Sequence, residues 1–93
     1  MAISTLTFEK ITTPSGDKWA TKFTSQGSCV IEMERTEQSE ISVTASIDGL
    51  ADVPVASFQN PFGANAIFEI DVAEGIDVTI KSTTEVLRAR ILS

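Results

Sequence analysis

Ninety-three residues carry seven basic and thirteen acidic side chains, no histidine and a lone cysteine, for a formal net charge of −6. A chain that short has room for one small core, and its acidity opposes nonspecific contact with nucleic-acid phosphates or anionic lipid heads; imidazole catalysis, His-containing zinc sites and internal disulfides are excluded outright. With 42% apolar and 22% charged residues, the composition is that of a folding globular chain rather than a disordered one.

Ile, Val and Thr together account for 28 of the 93 residues while Leu appears four times, a strand-former's composition. In chain order, a first strand is expected near residue 3. Trp19, Thr21 and Phe23 then alternate with Lys18, Ala20, Lys22 and Thr24, the two-residue period of a half-buried strand. That period places Trp19 and Phe23 on the core side. Cys29, Ile31 and Met33 repeat it against Val30, Glu32 and Glu34, and Ile41, Val43, Ala45 and Ile47 repeat it against Ser42, Thr44 and Ser46. The segment Val53-Pro54-Val55-Ala56-Ser57-Phe58 holds a proline that cannot donate to a ladder, so it is expected at a sheet edge.

Ala66, Phe68, Ile70 and Val72 alternate with Ile67, Glu69 and Asp71, and Ile76, Val78 and Ile80 with Asp77, Thr79 and Lys81. In the tail, Leu87, Ala89 and Ile91 alternate with Arg88 and Arg90; a closing strand is preferred over a short helix, which is barely stable alone. Pro14-Ser15-Gly16-Asp17, Ser25-Gln26-Gly27, Asp48-Gly49, Asn60-Pro61-Phe62-Gly63 and Glu74-Gly75 supply turn chemistry between the runs. The pattern predicts an all-β chain, one antiparallel β-sandwich over residues 1–93, jelly-roll-like, with about eight short strands starting near residues 3, 18, 28, 40, 53, 65, 76 and 86. Alternation does not separate jelly-roll from immunoglobulin-like strand order, because sandwich topology is set by nonlocal pairing.

Residues 1–8 lack the basic stretch and the apolar run of roughly 7–15 residues of a secretory signal, and no apolar run approaches the roughly 18 of a membrane span. No export and no membrane association are expected. Cys29 then reads as a buried small hydrophobe in a reducing compartment.

Parts for catalysis are missing. None of the ten serines sits in a Gly-x-Ser-x-Gly elbow. Glu32 and Glu34 share the outward side of a strand and read as a solvated face rather than a glycosidase pair. Asp48, Asp52, Asp71, Glu74 and Asp77 match no calcium-loop spacing and read as turn residues. No enzyme activity, cofactor or metal is expected. Carbohydrate binding is the serious alternative, but there is no tyrosine to build a platform, and Trp19 is directed to the core. Phe58, Asn60 and Phe62 are the candidate partner contact, with Phe62 either folding back as a lid or projecting into a neighbouring subunit. Outward Val30 and Ile67, together with Phe62 and the Pro54 edge, form a candidate apolar patch.

Lys18-Trp19-Ala20-Thr21-Lys22-Phe23, Cys29-Val30-Ile31-Glu32-Met33-Glu34-Arg35, Val78-Thr79-Ile80-Lys81-Ser82 and Glu85-Val86-Leu87-Arg88-Ala89 together resemble small β-sandwich virion proteins of tailed bacteriophages, including those of gut Bacteroidales. In that family a short W-x-x-x-F strand precedes a strand ending in Glu-Arg. The resemblance implies a non-enzymatic structural or accessory protein of a capsid, head fibre or tail, made in the host cytoplasm and carried in the virion. It implies partners among its own copies and other virion proteins. Trp19 and Phe23 would be core residues, and Glu34 with Arg35 a strand-face or subunit contact. The missing tyrosines count against a receptor-glycan role.

Overall fold

A computed structural model describes residues 2–47, 50–58 and 63–93, with side chains for all of these except 56–58. Nine strands make up the described chain: β1 (Ile3–Leu6), β2 (Glu9–Thr13), β3 (Gly16–Thr24), β4 (Cys29–Arg35), β5 (Ile41–Ser46), β6 (Val53–Phe58), β7 (Asn65–Ile70), β8 (Asp77–Ser82) and β9 (Val86–Leu92). They form two antiparallel sheets, one ordered β1-β9-β4-β7 and the other β2-β3-β8-β5-β6.

The pairings β1 with β9, β3 with β8, β4 with β7 and β5 with β6 are nested. With β2 set aside, the chain is one long hairpin whose two arms pair along their length. Rolling that hairpin adds β4 beside β9 and β5 beside β8. This is the jelly-roll order, and it decides the topology that alternation left open. The strand β2 was not anticipated. It holds only one apolar residue, Ile11, and pairs as a hairpin at the rim of its sheet, so neither of its faces is buried deeply enough to impose a period. Its turn to β3 closes through Gly16, whose φ of +116° suits glycine.

The core follows the predicted parity. Ile31, Met33, Ile41, Val43, Val78 and Ile80 are fully buried, and Cys29, Ala66, Phe68, Ile70, Ala89 and Ile91 complete the cluster, with Phe8, Phe23 and Val86 packed against it. Two parity readings are corrected, and one inward residue is covered less than expected. Ile47 lies past the end of β5 and is exposed. Leu87 is exposed because the register of β9 on β4 shifts: Glu34 faces Arg88 but Arg35 faces Val86, leaving Leu87 as the extra residue of a bulge. Trp19 is half-buried and outside the core cluster, because its register partner is Lys10 on rim strand β2, whose Nζ stands 5.9 Å from the ring centroid.

Pro54 does lie on an edge strand, next to a second register shift: Val43 faces Ala56 while Thr44 faces Pro54, so Val55 is extra. Two buried serines hold corners where the chain changes sheets. Ser25, after β3, exchanges backbone bonds with Ile76 and Gly75, and its Oγ donates to the carbonyls of Gly27 and Val72. Ser82, at the end of β8, donates its Oγ to Thr84 O at 2.8 Å.

Candidate functional site

The four-stranded sheet turns its outer face to solvent in three rows. Ile3, Leu92, Val30 and Glu69 stand side by side across β1, β9, β4 and β7, followed by Thr5, Arg90, Glu32 and Ile67. A third row holds Arg88, Glu34 and Asn65. Ile3 is 68% exposed and Ile67 61%, and with Val30, Leu92, Glu32 and Arg90 they line a shallow depression of about 210 Å³. Outward Val30 and Ile67 therefore do share an apolar patch, joined by Ile3 and Leu92. Pro54 is not part of it, since β6 belongs to the other sheet.

Charge on this face is sorted by strand: β4 presents Glu32 and Glu34, β9 presents Arg88 and Arg90. Arg88 grips Glu34 with both ends of its fork, Nε to Oε2 at 2.8 Å and Nη2 to Oε1 at 2.7 Å. That hydrogen bonding, then the nearby arginine charges, holds the Glu34 carboxyl below the usual range and raises Arg88 in turn.

Arg35 does not join the face. The resemblance pairs it with Glu34 as a surface contact, but it shares the inward parity of Cys29, Ile31 and Met33 and is only 3% exposed. Its fork is satisfied by loop acceptors: Nε donates to Ala64 O (3.2 Å), Nη1 to Ser39 O (2.8 Å) and Oγ (3.0 Å), and Nη2 to Gly63 O (2.7 Å). Burial lowers its pKa. The residue pins the segments after β4 and before β7 to one end of the core.

Phe58 ends β6 opposite Ile41, and its side chain lies outside the described residues, as do Asn60 and Phe62 entirely. A further apolar cluster that the sequence reading did not identify, Ile47, Leu50, Val53 and Ile76, lines a depression of about 250 Å³ beyond the end of β5.

The outer face of the five-stranded sheet is a polar groove of about 490 Å³ lined by Glu9, Ile11, Ala20, Lys22, Thr79 and Lys81, with Asp52 from the segment before β6. None of its lining residues is aromatic. Thr44 Oγ1 is buried without a hydrogen-bond partner among the described residues. Among the described residues no group of three or more His, Cys, Asp or Glu side chains could hold a metal ion. The Cys29 thiol is pushed up by burial and then by Glu69, which suits a packing residue more than a nucleophile.

No protein-family profile matches the sequence, and no curated protein does. Among solved structures, the chain is similar to a crystal structure of an exo-β-1,3-galactanase from Phanerochaete chrysosporium with galactose, at a TM-score of 0.36 and 9% identity, over 98% of this chain. The chain spans 27% of that protein's length. What defines the molecule is its own architecture, an all-β jelly-roll sandwich with an apolar, charge-sorted outer face.

Proposed function

We propose that the chain is a non-enzymatic structural or accessory element of a phage particle, a capsid, head-fibre or tail component that works by protein–protein assembly and is carried in the virion. The observation that supports this reading is the apolar face of the four-stranded sheet. Ile3 and Ile67 stand on the solvent side of a two-layer fold, outside the core between its sheets. Covering an isoleucine fully contributes about 1.5–3 kcal/mol, and a partner is the means by which an outer sheet face obtains that gain. The particle context rests on the resemblance of strands β3, β4, β8 and β9 to phage virion proteins.

A second reading, a small carbohydrate-binding module, is favoured by the polar groove on the five-stranded sheet, whose charged and hydroxyl side chains suit sugar hydroxyls. The groove has no aromatic platform, so it ranks second. Light scattering over a concentration series, run beside a glycan array, separates the two. Concentration-dependent association with no sugar hit is expected. A monomer at the highest concentration with a clear sugar hit would replace the assembly reading by the module.

A further inference from the structure

We infer that the occupant of the apolar sheet face is a second copy of this chain, packed face to face about a two-fold axis that runs parallel to the strands between β9 and β4. The inference rests on the assembly reading and specifies its first step.

The charge pattern selects both the partner and the axis. A two-fold axis in that position lays β9 of one copy over β4 of the other. Leu92 then meets Val30 of the second copy, Arg90 meets its Glu32, and Arg88 meets its Glu34, in each direction. The same operation lays Thr5 and Ile3 on β1 against Ile67 and Glu69 of the second copy, so the exposed isoleucines of the two copies stand one row apart. An axis perpendicular to the strands would instead set arginine over arginine and glutamate over glutamate, which like-charge repulsion disfavours. The bidentate Arg88–Glu34 bond fixes two of these four side chains in place before docking.

Size is consistent with a modest dimer. Four strands span about 19 Å and six residues run about 20 Å, giving roughly 400 Å² of projected face per copy. Side-chain relief brings the total accessible area removed to about 1,000 Å², the lower bound of specific interfaces. Association in the micromolar range is therefore expected rather than an obligate pair.

The test is reciprocal charge reversal. Glu32→Lys sets a basic side chain against Arg90 of the second copy, and Arg90→Glu sets an acidic one against its Glu32, while each leaves the Glu34–Arg88 bond intact. Sedimentation equilibrium and native mass spectrometry should find wild type dimeric and each variant at least tenfold weaker. An equimolar mixture should restore a dimer containing one copy of each. Circular dichroism checks that both variants keep the sheet; should one fail it, Glu32→Gln and Arg90→Gln serve instead, each expected to weaken the dimer. Variants that associate like wild type, or a mixture that fails to rescue, would overturn this interface while leaving assembly by another surface intact. A wild type monomeric at every concentration would remove the dimer and self-assembly together.

Discussion

Replacing Arg35 by methionine keeps most of the side chain's length and apolar stem but removes the guanidinium that holds one end of the sandwich. The magnitude can be worked from the acceptors left behind. Ala64 O keeps the Arg35 backbone N–H at 3.1 Å, and Ser39 Oγ keeps Thr84 Oγ1 at 2.9 Å. The carbonyls of Gly63 and Ser39 lose the guanidinium donors they now have. Each carbonyl left unsatisfied costs about 1–3 kcal/mol, and relief from burying a guanidinium with no carboxylate partner among the described residues offsets part of the sum. A net loss of about 3 kcal/mol is expected from a domain whose stability is of the order of 5–10 kcal/mol, or a fall of roughly 12–24 °C in Tm. Urea unfolding at constant m-value, paired with calorimetry, measures it. Arg35→Lys should recover only part of the loss, because an ammonium cannot serve Ser39 and Gly63 together. A loss below about 1 kcal/mol for Arg35→Met, well under the cost of one orphaned carbonyl, would refute the view that this arginine is a structural pin.

Three further outcomes follow from the same structure. Thr44→Val exchanges a buried hydroxyl without a described partner for a methyl of the same shape on a β-branched frame, so it should raise stability by about 1 kcal/mol in the same urea assay, and a loss would show that the hydroxyl has a partner. Cys29, with its thiol pushed up first by burial and then by Glu69, should resist an aromatic disulfide reagent until the protein unfolds; labelling at the rate of a free thiol under native conditions would contradict its placement. Because the folded value is raised, the thiol's contribution is present below the ordinary thiol range and is lost as pH climbs through the raised value. Glu34 runs the opposite way: Arg88 lowers its folded pKa, so its contribution is present above the ordinary carboxylate range and is lost as pH falls through the lowered value. Carbon-detected NMR titration should show the lowered midpoint, and Arg88→Ala should return it to the usual range.

Side-chain alternation made the central strands legible because their inward residues are buried on one face of a layer. Cys29, Ile31, Met33, Ile41, Val43, Phe68, Ile70, Val78, Ile80 and Ile91 were all placed inward and all lie in the core. The errors share a different cause, local departures from a regular ladder. A bulge turned Leu87 outward, the end of β5 released Ile47, and the hairpin with rim strand β2 left Trp19 half-covered under a lysine. None of these is encoded in the period, since each depends on where a neighbouring strand stops or slips. Arg35 shows the limit from the other side. Its parity was inward, but a charged residue invited a surface reading, and only the nearby loop carbonyls of residues 39, 63 and 64 explain how a guanidinium is accommodated there.

The candidate surface was half visible for a related reason. Val30 and Ile67 could be marked as outward apolar residues on their own strands, whereas Ile3 and Leu92 join them only through cross-strand register, a nonlocal quantity. One local signal did bear on that register. Glu32 and Glu34 are outward and two apart on one strand, as are Arg88 and Arg90 on another, and opposite charges directly across a ladder favour pairing over a like-charge arrangement. The acid strand and the base strand are indeed neighbours, at Glu32 with Arg90 and Glu34 with Arg88. This sorting favours β4 beside β9 inside the chain, and it also gives the outer face a polarity that matches its own image under a two-fold rotation parallel to the strands. Under the proposed axis such a face meets opposite charges on a second copy, which is why charge reversal at one position should weaken the proposed dimer and the complementary reversal on the partner should restore it.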